Sequence, residues 1–467
     1  MDIWSKLIAK IESWIFYAIV ILVWILGCDF PFFWDAISQS TQSNWYFDHH
    51  FSSIIVPTDI DTGHPPLWTL YLAFCWSVFG KTLLVSHIAV LPFLLACVFQ
   101  LYLLVNQLFE NHKIRFWAMT LILFQPTFMV QITSLYFELP LIFGFLWLFN
   151  QILRSKNQFS ILLLKTIIVS ILLLTSIRAW FLVAAIFSTE IGLYFVQKKK
   201  FNIIPYLISG FILVLYLWFH FNATGWFFSA PAFSSHRKVG EVSFMARNFL
   251  IFGWQIIDNG RLVLMLIFGY VFLKNILNRK YTHIKLIYTL SFISLVFMML
   301  LCTIPFSNPF GPRYFNLIYT GIILCVLYQF QDSKLVHIIN VAILLCFLSG
   351  HYWKYPYRFN ASWDATFAHI AYFDLKTETD QKIKDLGIYQ NLISAQFPFQ
   401  SSNKNANLMA DSTHIADYGD IGFENSAYFL VSNLGGEFNE EEIQKISKYQ
   451  KLFEIQKGNI WVQVFKK

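Results

Sequence analysis

The dominant pattern along the chain is a series of long apolar runs separated by short polar stretches. Because a membrane-spanning helix needs about 20 mostly apolar residues, this pattern predicts about eleven spans. They fall near residues 11–28, 83–107, 116–134, 138–153, 159–177, 179–196, 203–221, 260–277, 284–305, 314–330 and 335–351. We therefore expect an α-helical polytopic membrane protein.

One apolar segment, Pro65 to Gly80, is too short to fit this series. Counting it as a span would also move every later loop to the other side of the membrane. We therefore predict a helix that lies at the outer interface within an outer loop, 29–82. The predicted transmembrane catalytic domain covers 1–351.

The character of the sequence changes at about Tyr352, where polar residues become frequent and apolar runs shorten. Residues 380–389 and 437–449 have helical patterns, and 428–431, 452–456 and 460–465 have strand patterns. The segment 352–467 is therefore predicted to be a small soluble α/β domain, of normal size for an independent unit. Since it contains no recognisable catalytic motif, we expect a lid or a docking surface.

The charged residues between the spans predict the topology. If the spans alternate, the basic clusters all fall on one side, which the positive-inside rule makes cytoplasmic. These residues are Lys6, Lys10, Lys113, Arg115, Arg154, Lys156, Lys198 to Lys200, Lys274, Arg279, Lys280 and Lys285. The loop from Asp29 to His64 has five aspartates and no Lys or Arg, so it falls outside. We expect a cytoplasmic N-terminus, an extracytoplasmic C-terminal domain and a location in the plasma membrane.

Composition agrees with the membrane assignment and excludes other classes. Hydrophobic residues make up 57% of the chain, charged residues 13%, and the mean hydropathy is +0.53. The net charge of +7 is spread over short loops, which argues against nucleic-acid binding. The six cysteines lie in or beside apolar runs without metal-ligand spacing, and there is no P-loop or dinucleotide fingerprint.

Asp35 is the first candidate for chemistry, in Phe33-Trp34-Asp35-Ala36-Ile37 directly after the first span. A carboxylate among apolar rings is expected to have a raised pKa and to be able to act as a base. The alternative is a helix N-cap or an interfacial acid without a catalytic role.

A second candidate is the turn Asp61-Thr62-Gly63-His64-Pro65-Pro66. Gly63 and the two prolines stiffen this turn, which brings an acid and a histidine to the start of the interfacial helix. Such a turn suits a phosphate or sugar site. An ordinary turn with an N-cap explains the same residues equally well.

Three further charged residues are predicted on the outer face. Glu138 precedes Pro140 at a helix start, where a carboxylate also stabilises the helix dipole. Arg178 interrupts a long apolar stretch and Arg313 follows a Pro/Gly turn, both on the side where arginines are disfavoured. Outer-face arginines raise the expectation of an anionic partner. The polar outer loop with His236, Arg237 and Lys238 offers weaker candidate contacts.

The order of these motifs resembles the GT-C superfamily, in particular its protein O-mannosyltransferase and aminoarabinose transferase branch. The resemblance covers the chain from the first span to about Tyr319. Asp35 is similar to the acid that follows the first helix in that branch. His64-Pro65-Pro66 and Phe79-Gly80 resemble the two ends of its interfacial helix, although lysine is commoner at the position of His64.

The later motifs of that branch also have counterparts. Glu138 resembles an acid, more often Asp, that precedes a proline at the start of a span. Arg178 resembles an outer basic residue, and Arg313-Tyr314 resembles a late Arg-Tyr pair. The resemblance leaves a divalent metal open as a cofactor, although Gly63 has no side chain where some relatives carry a metal ligand.

The resemblance implies a glycosyltransferase that moves a sugar from a polyprenyl-phosphate donor to an acceptor hydroxyl on a lipid, glycan or protein, with inversion. Asp35 would be catalytic. Arg178 and Arg313, with His64, would neutralise the departing phosphate, and Asp61, Glu138 and Tyr314 would bind substrate. The alternatives are a transporter or lipid flippase, which requires charges near the bilayer midplane, and an oligosaccharide polymerase or ligase.

Overall fold

The fold is described from a computed structural model of the chain. The described residues are 3–154, 159–227, 231, 239–277, 283–307, 311–356, 362–409, 415–434 and 438–467.

The first 349 residues are almost entirely helical. The helices are α1 Ile3–Gly27, α2 Asp35–Asp48, α3 Leu67–Phe79, α4 Leu83–Leu108, α5 His112–Phe124, α6 Pro126–Thr133, α7 Glu138–Arg154, α8 Phe159–Thr175, α9 Ile177–Gln197, α10 Ile204–Thr224, α11 Val242–Ile257, α12 Leu262–Leu277, α13 His283–Thr303, α14 Asn316–Phe330 and α15 Val336–Ser349. A 3-10 helix, Pro312–Phe315, leads into α14.

All eleven apolar segments predicted from the sequence lie on helices. In the described part of the chain, three helices are long and apolar enough to span a membrane: α4, α9 and α10. The number rises to five if each of two bent pairs, α5 with α6 and α11 with α12, forms one span. The segment predicted at 116–134 is one of these pairs, bent by 64° where Pro126 opens α6. The count of eleven spans remains a prediction.

Two helices lie where only loops were expected. α2 is rich in Ser, Gln and Asn, which favour caps and turns over helix interiors, so its sequence gives no helical signal. It is helical because it is enclosed: eight of its residues, from Ala36 to Tyr46, are buried against α3 and the C-terminal region. α11 occupies part of the predicted outer loop between α10 and α12, and is amphipathic.

The C-terminal region contains a five-stranded sheet in the order β2-β1-β3-β5-β4. The strands are β1 Ile393–Ala395, β2 Ala416–Asp417, β3 Tyr428–Ser432, β4 Gln450–Lys457 and β5 Ile460–Lys466. Helices α16 Ile370–Asp385, α17 Asn403–Ala406, α18 Tyr418–Asn425 and α19 Glu440–Ile446 accompany it. β3, β4 and β5 match the predicted strands closely, whereas α16 begins ten residues before the predicted start at 380.

The C-terminal region packs directly on the segment that follows α1. Phe33 is buried in the same apolar cluster as Trp363, Tyr372 and the sheet residues Val462 and Val464. The boundary at residue 352 is therefore not a boundary of the hydrophobic core. Whether 352–467 folds as an independent domain stays a prediction.

A charged pair lies within the helical bundle, although the charges were expected to gather at the outer face. Lys165 on α8 contacts both carboxylate oxygens of Glu190 on α9 at 2.6 and 2.7 Å. The Tyr206 hydroxyl on α10 donates to the same carboxylate at 2.9 Å. Since the pair is bonded internally, we assign it to the packing of these three helices.

A tight turn joins α11 to α12, which are bent by 103° relative to each other. Gly260 in this turn has a φ of +80°, and an added Cβ would overlap the carbonyl oxygen of Cys346 on α15. No side chain fits here, so the glycine lets α12 and α15 approach closely.

We expect Gly260→Ala to destabilise the protein by at least about 2 kcal/mol, because it adds both backbone strain and a steric clash. Gly269→Ala, within α12, is the matched control, since its added Cβ would meet no atom within 4 Å. Thermal unfolding in detergent checks this expectation. Equal melting temperatures for the two variants would show that the turn is not so closely packed.

Candidate active site

The buried guanidinium of Arg313, only 1% exposed, forms the centre of the candidate site. Its Nη2 donates to Asp35 and its Nη1 donates to Asp364. Its Nε lies 3.1 Å from Glu138 Oε1, an ionic contact without the alignment of a hydrogen bond. Three carboxylates from distant parts of the sequence therefore hold one arginine.

Asp35 is the accessible member of this group, with a side chain 49% exposed. It begins α2 directly after Trp34, whose φ of 51° is unusual for a residue with a side chain. The Tyr314 hydroxyl donates to Asp35 Oδ2 at 3.0 Å. Burial opposes ionisation, but Arg313, Tyr314 and Arg178 outweigh it, so the pKa of Asp35 is lowered. The predicted rise in this pKa is wrong, because the apolar rings are accompanied by cations.

Glu138 and Arg178 lie at neighbouring helix starts. Glu138 opens α7, with Pro140 in the first turn as predicted. Ser176 caps α9 by accepting from the Arg178 amide at 3.2 Å, which fixes the start of that helix. Arg178 Nη1 then donates to Glu138 Oε1 at 2.8 Å, and its guanidinium stacks 3.6 Å from the Tyr314 ring centre.

A layer of buried polar groups orients the backbone around Arg313. Asn316 donates to the Arg313 carbonyl at 3.0 Å, and Gln125 donates to the Asn316 amide oxygen at 2.5 Å. The Tyr136 ring lies 4.3 Å from the Arg313 guanidinium, and its hydroxyl donates to the Phe33 carbonyl at 2.8 Å. The break between α5 and α6 places Gln125 here.

Asp364 was not among the candidates from the sequence. It lies in a short 3-10 helix, Trp363–Ala365, that precedes α16. Burial raises the pKa of Asp364; Arg313 opposes this shift, but the carboxylates of Asp35 and Glu138 add to it. The sequence has no signal for it, because an aspartate in a polar segment is common and its burial depends on the fold.

His64 approaches the cluster from the predicted turn, whereas Asp61 points elsewhere. His64 Nδ1 lies 3.4 Å from the Ile177 amide at the start of α9. Asp61 Oδ1 accepts from the Gly63 amide at 2.7 Å, and its Oδ2 lies 3.0 Å from Nε2 of His220 on α10. Both Asp61 oxygens are therefore used to hold the turn, and His220 is a partner that the sequence did not reveal.

A small cavity adjoins the charged cluster. Its polar lining comprises Glu138, Arg178, Arg313, Tyr314 and Asn316. Its remaining lining is apolar: Leu141, Ile142, Leu182, Met299 and Leu317. Oε2 of Glu138 is buried here and has no hydrogen-bond partner among the described residues.

A second cavity lies in the helical bundle. Leu317 lines both cavities, and the second extends between α4, α7, α13 and α14 to Leu324. Apart from Tyr288, Ser291 and Thr320, its lining is apolar. Leu317 therefore lies between the charged cluster and an apolar cavity of the bundle.

Two further predictions concern ligands. His236, Arg237 and Lys238 lie outside the described residues. Within the part of the chain that the structure describes, no three His, Cys, Asp or Glu side chains are grouped so that they could hold a metal ion.

We expect Arg313→Met to destabilise the protein by about 3–5 kcal/mol, because it leaves buried carboxylates without their cation. Lys404→Met is the control, since Lys404 pairs with Asp48 at 2.7 Å on the surface and such pairs contribute at most about 1 kcal/mol. Thermal unfolding in detergent compares the two. Similar melting temperatures for the two variants would contradict a central structural role for Arg313.

Comparisons with known proteins agree with this architecture. No family model matches the chain, and no curated protein matches it in sequence. Two crystal structures of ArnT from Cupriavidus metallidurans are similar to it, one bound to undecaprenyl phosphate and one in the apo state. Their TM-scores are 0.53 and 0.52 at 10% sequence identity, and each match covers 96% of this chain and 97% of that chain. The chain therefore shares the fold of these two ArnT structures along nearly its whole length, in agreement with the resemblance of its motifs.

Proposed function

We propose that this protein is a membrane glycosyltransferase that moves a sugar from a polyprenyl-phosphate donor to an acceptor hydroxyl at the extracytoplasmic face. The observation that carries this proposal is the half-exposed Asp35 carboxylate, held by Arg313 and Tyr314 beside Arg178. An accessible base next to a guanidinium suits a reaction in which a hydroxyl loses a proton and a phosphate departs.

The two arginines have different environments, which suggests different roles. Arg313 is engaged by three carboxylates, so we assign it to holding Asp35 in place. Arg178 uses one guanidinium donor, Nη1, on Glu138 within the described residues, so its other donors can meet an anion. This assignment differs from the expectation that Arg313 itself contacts the phosphate.

His64 and the start of α9 complete the proposed phosphate site. Nδ1 of His64 accepts from the Ile177 amide, so we assign the ring proton to Nε2. The N-terminus of α9 also favours an anion, because the helix dipole is positive there, although its first two amides already donate to His64 and Ser176. Arg178, the second residue of α9, and His64 thus lie at the same helix end.

The proposed reaction exchanges one bond for another. The acceptor oxygen attacks the anomeric carbon as the bond from that carbon to the phosphate oxygen breaks, and the electron pair leaves with the phosphate. Asp35 accepts the proton of the attacking hydroxyl. Because its pKa is lowered, Asp35 stays ionised and orients the hydroxyl, and it takes the proton late in bond formation. Attack from the side opposite the phosphate gives inversion.

Glu138 is suited to bind the sugar or the acceptor. Its Oε1 is engaged by the two arginines, while its Oε2 is buried without a hydrogen-bond partner in the described structure, and Glu138 lines the cavity. A buried carboxylate oxygen in that position favours a hydroxyl donor. A hydroxyl of the transferred sugar satisfies this requirement.

The surroundings of the charged cluster support a lipid-linked donor. A polyprenyl phosphate has a charged head and a long apolar chain, and the charged cluster adjoins apolar side chains of the helical bundle at Leu141, Leu182 and Leu317. The proposed topology leads to the same donor class: nucleotide sugars are cytoplasmic, so a site on the outer face needs its sugar carried through the membrane on a lipid.

The competing functions have less support. A transporter is expected to place charges near the midplane along a substrate pathway. The internal charges here, Lys165 and Glu190, instead pair with each other, and Glu190 also accepts from the Tyr206 hydroxyl. An oligosaccharide polymerase or ligase would also use outer-face arginines but would more typically concentrate them in one large late loop, whereas Arg178 lies at the start of α9 and Arg313 before α14.

We expect Asp35→Asn to lower transfer by at least about 100-fold, because the amide cannot accept the acceptor's proton. Asp48→Asn is the matched control at the other end of α2, where Asp48 pairs with Lys81 and Lys404 on the surface. The assay measures release of polyprenyl phosphate from a polyprenyl-phosphate sugar by protein purified in detergent. Full activity of Asp35→Asn, with the melting temperature unchanged, would remove Asp35 from the mechanism.

We expect Leu317→Trp to raise KM for a long-chain donor at least about tenfold, because Leu317 lines both cavities and a larger side chain fills the apolar space beside the charged cluster. Leu345→Trp on α15 is the control, since Leu345 is 61% exposed on the outside of the bundle. KM is measured with donors of long and short prenyl chains. An unchanged KM for both would place the lipid chain elsewhere.

A further inference from the structure

The C-terminal region contributes a carboxylate to the candidate site. Asp364 Oδ2 accepts from Arg313 Nη1, and the Asp364 side chain is only 10% exposed. The 3-10 helix that carries it packs on α6, where Gln131 donates to the Asp364 carbonyl at 3.4 Å. Asp364 is thus held by two contacts, the hydrogen bond to its backbone carbonyl and the ion pair of its side chain with Arg313.

One apolar core positions both of the carboxylates that hold the two ends of the Arg313 guanidinium. Phe33, two residues before Asp35, is buried in the C-terminal apolar cluster. Trp363, directly before Asp364, is buried in the same cluster. A displacement of this core would therefore move Asp35 and Asp364 together. These two carboxylates bind the two terminal nitrogens of the Arg313 guanidinium.

Polar contacts attach the C-terminal region to the same segment. The Phe32 amide donates to the Ala406 carbonyl at 2.9 Å. Asn44 on α2 donates to Asn405 at 3.0 Å on α17. The base-bearing helix α2 is thus held along its length by residues that come more than 350 positions later in the chain.

We propose that Asp364 is a positioning residue of the active site, and that docking of the C-terminal region on α2 is required to place Arg313 and Asp35 for catalysis. This inference rests on the proposed glycosyltransferase function. It assigns to the C-terminal region a role in building the site, in place of the lid or docking surface expected from the sequence.

The charge of Asp364 distinguishes a positioning role from a role in binding the donor phosphate. The cluster contains two guanidinium groups and three carboxylates, so removing the Asp364 charge makes it less repulsive to an anionic donor. The loss of an Arg313 contact misplaces Asp35 all the same, and a shift of about 1 Å can cost about 100-fold in rate. Asp364→Asn therefore lowers kcat and leaves KM for the donor unchanged or lower.

The test compares Asp364→Asn, Asp364→Glu and Asp380→Asn in the full-length protein purified in detergent. Asp380 is a matched control, because it is also a mostly buried carboxylate of the C-terminal region but pairs with Lys376 at 2.6 Å on α16. We expect kcat to fall about 100-fold in Asp364→Asn, to recover in part in Asp364→Glu, which keeps the carboxylate, and to change less than about twofold in Asp380→Asn.

A second measurement does not depend on turnover. Amide hydrogen exchange of residues 313–320 should rise in Asp364→Asn and stay unchanged in Asp380→Asn, while exchange in β3 and β5 stays unchanged in both. A kcat within about threefold of wild type in Asp364→Asn, or unchanged exchange at 313–320, would overturn the positioning role. If the wild-type protein transfers no sugar, the proposed function fails, and the exchange data still decide whether Asp364 holds Arg313.

Discussion

The whole arrangement depends on a buried guanidinium that needs its charge balanced. Removing Arg313 from water is unfavourable unless its charge is balanced, and three carboxylates balance it. These carboxylates come from the start of α2, the start of α7 and the C-terminal region. The interaction therefore brings together three parts of the chain that are far apart in sequence, and the position of Asp35 follows from it.

This constraint also divides the chemistry between the two arginines. In the proposed mechanism Arg313 binds carboxylates and acts on the reaction through the placement of Asp35. Among the described residues Arg178 uses one guanidinium donor, on Glu138, and it lies at a helix start that His64 also approaches. The proposed base and the proposed phosphate site are thus adjacent, and different residues hold each of them in place. Tyr314 connects the two, because its hydroxyl donates to Asp35 and its ring stacks on the Arg178 guanidinium.

The sequence predicted what apolar periodicity and rare charges can reveal. The long apolar runs located the helices, and the scarcity of outer-face charges singled out Asp35, Glu138, Arg178 and Arg313, which the structure brings together. α2 was missed because tertiary burial, and not helix propensity, makes it helical. Asp364 was missed because a carboxylate in a polar region is unremarkable until the fold buries it. The direction of the shift in the Asp35 pKa depends on Arg313 and Arg178, which are far from Asp35 in the sequence.

The central claim is that a lipid phosphate carries the sugar that this protein transfers. The most direct measurement offers the purified protein two donors with the same radiolabelled sugar, one linked to polyprenyl phosphate and the other to a nucleoside diphosphate. Our account predicts that sugar leaves the polyprenyl phosphate and that the nucleotide sugar remains intact. Consumption of the nucleotide sugar, with the polyprenyl-linked sugar untouched, would contradict it.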